Sequence, residues 1–112
     1  EWVVEKVKNA VLEFEKENGR KPQVACMGLA FKPDIDDLRE SPALFIAQEL
    51  SKDHNVVAVE PNISGFSSLK LISEEQSSES DILVYLVAHK EFKNHLKNEK
   101  TLDFSGLFSS SR

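Results

Sequence analysis

Gly28-Leu29-Ala30-Phe31-Lys32-Pro33-Asp34-Ile35-Asp36-Asp37-Leu38-Arg39-Glu40-Ser41-Pro42 is the stretch on which the reading of this sequence turns. An apolar run, Val24-Ala25-Cys26-Met27, leads into it and has the makings of a buried strand. Ser41-Pro42 closes it by opening a helix. The serine side chain accepts a backbone N–H as N-cap, and proline suits the first helical position, where an N–H has no intrahelical partner anyway. Strand, charged loop and capped helix make half of a βαβ unit. Ligands of open parallel sheets bind beyond the carboxyl ends of the strands, which is where this loop belongs. Lys32 and Arg39 put two cations there, so the loop is a candidate site for an anionic ligand.

Outward from the loop, helical and strand patterns alternate. Residues 2–14 place Val3, Val7, Ala10, Val11 and Phe14 on one face of a helix, and Asn18-Gly19 supplies its stop. Gln23 to Phe31 reads as the first strand, continuous in apolar residues and therefore buried on both faces. Ser41 to Lys52 is a helix with Ala43, Ile46, Ala47 and Leu50 toward the sheet. His54-Asn55 turns into a second strand, Val56 to Val59. Residues 64–68 are a Ser/Gly-rich loop, and Leu69 to Ile72 suits a short edge strand. Ser73-Glu74-Glu75-Gln76 has capping-box spacing for a helix through Ser80 that has almost no apolar face. Asp81 leads into the buried strand Ile82 to Val87. His89 to Leu96 reads as a helix with Phe92 and Leu96 inward, and Thr101 to Phe104 as a last short strand. The fold class is α/β: a doubly wound, mainly parallel, Rossmann-like sheet of about five strands with helices on both faces, behind a preceding helix.

Composition bounds the partners. The chain has 112 residues, enough for one domain with a modest core, and is 40% hydrophobic and 29% charged. A net charge of −5 argues against nucleic acid or an anionic membrane as the main partner, although a nucleotide needs only a few local cations. One cysteine excludes an internal disulfide framework and suits a reducing cytoplasm. No run approaches the ~18 apolar residues of a membrane span. The sequence opens at Glu1 directly in a helical pattern, as a piece of something longer does.

The string GLAFKPDIDDLRESPA closely resembles the opening of the C-terminal domain of the UDP-sugar 6-dehydrogenases, the family of UDP-glucose, GDP-mannose and UDP-N-acetylmannosamine dehydrogenases. Val59-Glu60-Pro61-Asn62-Ile63, Asp81-Ile82-Leu83-Val84, His89 and Phe92 follow in the family's order. The pairing of DIDDLRESPA with VEPNI is most similar to the UDP-N-acetylhexosamine branch, UDP-N-acetylmannosamine in particular. The resemblance covers residues 20–104. It implies that 1–19 end an inter-domain linker helix, that 20–104 bind a UDP-sugar, and that 105–112 are a flexible tail. It further implies that Phe31 lines the substrate pocket, that Lys32 pairs with the substrate's charge, and that Arg39 reaches the NAD diphosphate across a domain interface. The parent would oxidise C6 of a UDP-sugar from alcohol to carboxylate with NAD, twice per turnover, as a homodimer. NAD would be held mainly by an N-terminal domain, and the catalytic cysteine, lysine and asparagine would lie in a central one. No G-x-G-x-x-G fingerprint occurs in this chain. The chain by itself is therefore expected to be a non-catalytic half-site with no catalytic residue of its own. One departure stands out: Asp103-Phe104-Ser105 offers a serine where the family carries a basic residue that completes the sugar-nucleotide site.

Each residue also has a plainer reading. Lys32 could be solvated, and Arg39 could bridge Asp36, Asp37 or Glu40. Asp34, Asp36, Asp37 and Glu40 could be read as a magnesium site, but Lys32-Pro33 separates them from the strand end, and they suit loop shaping better. Cys26 does not match the family's nucleophile motif and reads as core. His89 and His95 lack a partner at metal spacing and read as surface or satisfied histidines; no metal is expected. Tyr85 reads as core, and Trp2 carries no signal. A receiver-like signalling domain and a non-catalytic interaction domain with an acidic docking loop remain as other readings.

Overall fold

The computed structural model describes residues 2–29, 41–60, 69–87, 89, 92 and 101–104. Gln23–Met27 form the central strand β1, whose last four residues are wholly buried. β1 is flanked by β2 (Asn55–Val59) on one side and β4 (Ile82–Tyr85) on the other. β3 (Lys70–Leu71) lies outside β2, and β5 (Thr101–Asp103) lies outside β4. All four pairings are parallel, in the order β3-β2-β1-β4-β5. The chain therefore steps outward from β1 through β2 to one edge, then returns to build the other half from β4. The reversal opens a crevice between the carboxyl ends of β1 and β4, the position at which such sheets bind ligands.

Side chains alternate across a strand, so β1 serves two cores. Val24 and Cys26 join Val56, Ala58, Ile82 and Val84 beneath two helices, α1 (Trp2–Asn18) and α2 (Pro42–Ser51). α1 contributes Val4, Val7, Val11 and Phe14, and α2 contributes Ile46, Ala47 and Leu50. Ala25 and Met27 face the other way, with Val57, Val59, Leu83, Tyr85 and Phe92. The rings of Tyr85 and Phe92 pack edge to face, with their centroids 5.7 Å apart. Cys26 is a core residue, as its sequence context implies. Burial pushes its thiol up to about 12, which removes the thiolate that reactivity requires.

Helix ends follow local chemistry. Gly19 takes φ +69 and donates its N–H to Glu15 O at 2.8 Å, closing α1 in a left-handed cap. Ser41 caps α2 by accepting the Leu44 N–H, with Pro42 in the first turn. Ser73 and Gln76 form the reciprocal capping box of α3 (Glu74–Ser77), which stops there rather than continuing to Ser80. With no apolar face to bury, nothing pays for a further turn.

Two strands are shorter than their apolar runs. β1 ends at Met27 instead of Phe31, because Gly28 turns to φ +100 and Leu29 sends its N–H to a side chain rather than to the ladder. β4 ends at Tyr85 instead of Val87, because Leu86 and Val87 N–H both converge on Met27 O. The helix expected over His89 to Leu96 falls mostly outside the described residues, as do the 64–68 loop and the 105–112 tail.

The opposite edge of the sheet is clamped by a pair with no local signal. Arg20 grips Asp81 with two hydrogen bonds of 2.8 and 3.1 Å, and its guanidinium lies 4.9 Å over the Phe14 ring. Asp81 also accepts the Gln23 N–H at 2.9 Å. The Arg20 bonds, with the Gln23 N–H behind them, hold the Asp81 carboxyl below the ordinary range against the opposing effect of burial.

Candidate functional site

The carboxyl edge is organised around one peptide group. Gly28 donates to Val59 O at 2.8 Å and turns the chain over the sheet. A Cβ on Gly28 would stand 2.6 Å from the Cβ of Val87, so the approach of the two strand ends requires glycine. Leu29, wholly buried, follows. Its N–H goes to Glu60 Oε1 at 2.7 Å, and its carbonyl accepts the Ser41 hydroxyl at 2.6 Å. Ser41 thus performs two tasks, capping α2 and binding the far stem of the loop to the near one. Residues 30–40 leave from Leu29 and return at Ser41, and those two stems are hydrogen-bonded to each other.

Glu60 is the first residue past β2, and its side chain has no exposed surface. Its Oε1 also lies 2.9 Å from His89 Nε2, and the His89 side chain is equally buried. An ionised carboxylate only accepts, so in that pairing Nε2 supplies the proton. His89 is seated by its own N–H to Val87 O and by an edge-on contact with Phe92 at 5.6 Å. The carboxyl ends of β1, β2 and β4 therefore converge on one buried polar cluster: Leu29, Ser41, Glu60 and His89. A hydrogen bond to a charged group contributes about 1.5–3 kcal/mol, and one partner removed from a buried pair costs about 3–5 kcal/mol, so the cluster rigidifies the loop's stems.

The sequence places Glu60 and His89 in motifs without giving them work. His89 is the satisfied histidine of its plain reading, and the partner, 29 residues away, is visible only once β1 is known to lie between β2 and β4. A polar residue just past each buried strand of a parallel sheet is the one signal that points to them, since such residues share an edge. Phe31, Lys32 and Arg39, with Asp34, Asp36, Asp37, Glu40, His95 and Ser105, lie outside the described residues. Among the described residues no group of three or more His, Cys, Asp or Glu side chains could hold a metal ion, and no helix is long and apolar enough to cross a membrane.

Comparison with known proteins agrees with this architecture. The model of the UDP-glucose/GDP-mannose dehydrogenase family, UDP binding domain, matches residues 25–108. A UDP-N-acetyl-D-mannosamine dehydrogenase of Yersinia pestis is 38% identical over 96% of this chain and 29% of its own length. One from Salmonella typhi is 43% identical over 82% of this chain and 24% of its own. Among solved structures, a UDP-N-acetyl-mannosamine dehydrogenase from S. aureus superposes with a TM-score of 0.69 at 27% identity, covering 89% of this chain and 23% of that one. The chain spans about a quarter of the length of these relatives.

Proposed function

The chain belongs to the UDP-glucose/GDP-mannose dehydrogenase family, and from that premise we propose that it binds the UDP part of a UDP-sugar at the carboxyl edge of its sheet. The observation that carries this reading is the joining of Leu29 to Ser41, the two residues that flank the 30–40 segment. That segment holds the family motif and falls inside the matched residues, and Leu29 and Ser41 on either side of it meet at the carboxyl edge of the sheet. Phe31 lines the nucleotide pocket in this proposal, and Lys32 meets the diphosphate with its ammonium. Family membership favours this over a receiver-like or purely interacting domain.

The larger proposal concerns the protein of which such a domain is a part. It is an NAD-dependent 6-dehydrogenase of the UDP-N-acetylmannosamine type, a cytoplasmic homodimer that oxidises an alcohol to a carboxylate. NAD sits mainly on an N-terminal domain, and Arg39 reaches its diphosphate across the domain boundary. Residues 1–19 end the linker helix, 20–104 form the substrate-binding unit, and 105–112 trail behind it.

The test is a titration of the chain with UDP, UMP and NAD, followed by backbone amide shifts. UDP should move the amides of Gly28, Leu29 and Ser41 and bind more tightly than UMP, because only UDP carries the second phosphate for Lys32. NAD should bind far more weakly. No shift at millimolar UDP, or shifts centred on Gln23 and Asp81 at the opposite edge, refutes the reading.

A further inference from the structure

The buried pair Glu60–His89 has no assigned role, and its geometry suggests one. An acid just past the second strand of a nucleotide-binding sheet is where a ribose hydroxyl is ordinarily accepted. Glu60 stands at that point, but its side chain has no exposed surface and its Oε1 already faces the Leu29 N–H at 2.7 Å and His89 Nε2 at 2.9 Å. With no exposed surface, the side chain is not presented to a ribose.

We infer that Glu60 and His89 are positioning residues for UDP binding: the pair holds the Leu29 peptide, and through it the stem from which the 30–40 loop is presented. This deepens the reading above and rests on it. The chain of contact is short. His89 is anchored by Val87 O and Phe92 and steadies the carboxylate. The carboxylate fixes the Leu29 N–H, and the Leu29 carbonyl takes the Ser41 hydroxyl at 2.6 Å. The 30–40 segment begins directly after Leu29, so this peptide sets where the segment starts, and the charge-assisted phosphate bond proposed for Lys32 is sensitive to displacement. Charge also suits the role. A carboxylate held by His89 and a backbone amide is a stronger acceptor for a single N–H than a neutral amide.

Two near-isosteric substitutions separate positioning from mere support. In His89→Gln the side-chain amide nitrogen falls near the place of Nε2 and keeps a donor on Glu60. In His89→Asn the amide is too short to reach it. Measured by amide-detected UDP titration, His89→Asn should raise the dissociation constant about ten-fold, while His89→Gln stays within about three-fold of the parent chain. Hydrogen exchange at the Leu29 amide should accelerate in His89→Asn and not in His89→Gln, with no ligand present. If the parent chain binds UDP and both variants bind it equally well, or both are weakened alike, the positioning role is overturned while the UDP reading stands. If the parent chain fails to bind UDP, the reading falls and the inference with it. Should His89→Asn not fold, Glu60→Gln decides the matter. It leaves an oxygen for Leu29 but removes the charge, and should move the Leu29 amide proton upfield and weaken UDP a few-fold. An unmoved amide proton and an unchanged dissociation constant overturn the inference.

Discussion

Replacing Gly28 by alanine tests the close approach on which the site is built. Two separate costs arise. At φ +100 an L-residue sits where its Cβ crowds the backbone, which costs about 1–2 kcal/mol. The added methyl also lands 2.6 Å from Val87 Cβ and 3.1 Å from Val87 N. Overpacking of this kind adds about 1–3 kcal/mol, so the sum is roughly 2–5 kcal/mol. A domain of this size has about 5–15 kcal/mol in hand, and each kcal/mol shifts Tm by roughly 4 °C or more. Thermal unfolding followed by circular dichroism should therefore show Tm lowered by roughly 10–20 °C. A second variant apportions the loss. Because the nearest atom is the Cβ of Val87, Val87→Ala leaves the overlap in place and only Val87→Gly removes it. In a double-mutant cycle Gly28→Ala with Val87→Gly should recover the overlap part and leave the backbone strain. A Gly28→Ala chain destabilised by less than about 1 kcal/mol refutes the reasoning, because neither the strained φ nor the contact would then be real.

Three further outcomes are expected. Lys32→Ala should weaken UDP about ten- to a hundred-fold, the loss of one charge-assisted bond to phosphate, and unchanged binding in calorimetry removes Lys32 from the site. Arg39→Lys keeps the charge but loses the planar fork, so in the full-length dehydrogenase it should raise the KM for NAD several-fold with little change in Tm; an unmoved KM leaves Arg39 a surface charge. The Arg20–Asp81 clamp should make stability depend on acid. The folded Asp81 carboxyl lies below its ordinary value of 3.8, so the unfolded chain takes up the proton first, and the contribution is present above that value and lost as pH falls through the lowered one. Urea midpoints between about pH 2 and 7 should fall more steeply on the acid side in the parent chain than in Asp81→Asn, and parallel curves refute the linkage.

The amino-acid sequence by itself determines the parts whose physics is local. Val24 to Met27 and Ile82 to Tyr85 are short apolar runs without interruption, the pattern of strands buried on both faces, and both are such strands. Ser41 and Pro42 set the start of α2 to the residue, Gly19 sets the stop of α1, and Ser73 with Gln76 completes a capping box, because a cap is decided within four residues. Lys32 and Arg39 are visible in the sequence as two cations placed after a buried strand, while the roles proposed for them and for Phe31 come from the family motif in residues 28–43. Tertiary structure decides the rest. Nothing near Glu60 in the chain announces Leu29, 31 residues away, or His89, 29 away, and nothing near Arg20 announces Asp81, 61 away. The same holds for where β1 stops, since apolar character continues to Phe31 while the turn at Gly28 answers to Val87 at the end of another strand. Periodicity and caps report on a few neighbours along the chain. The strand order, and the polar groups it gathers at one edge, depend on which strands lie side by side.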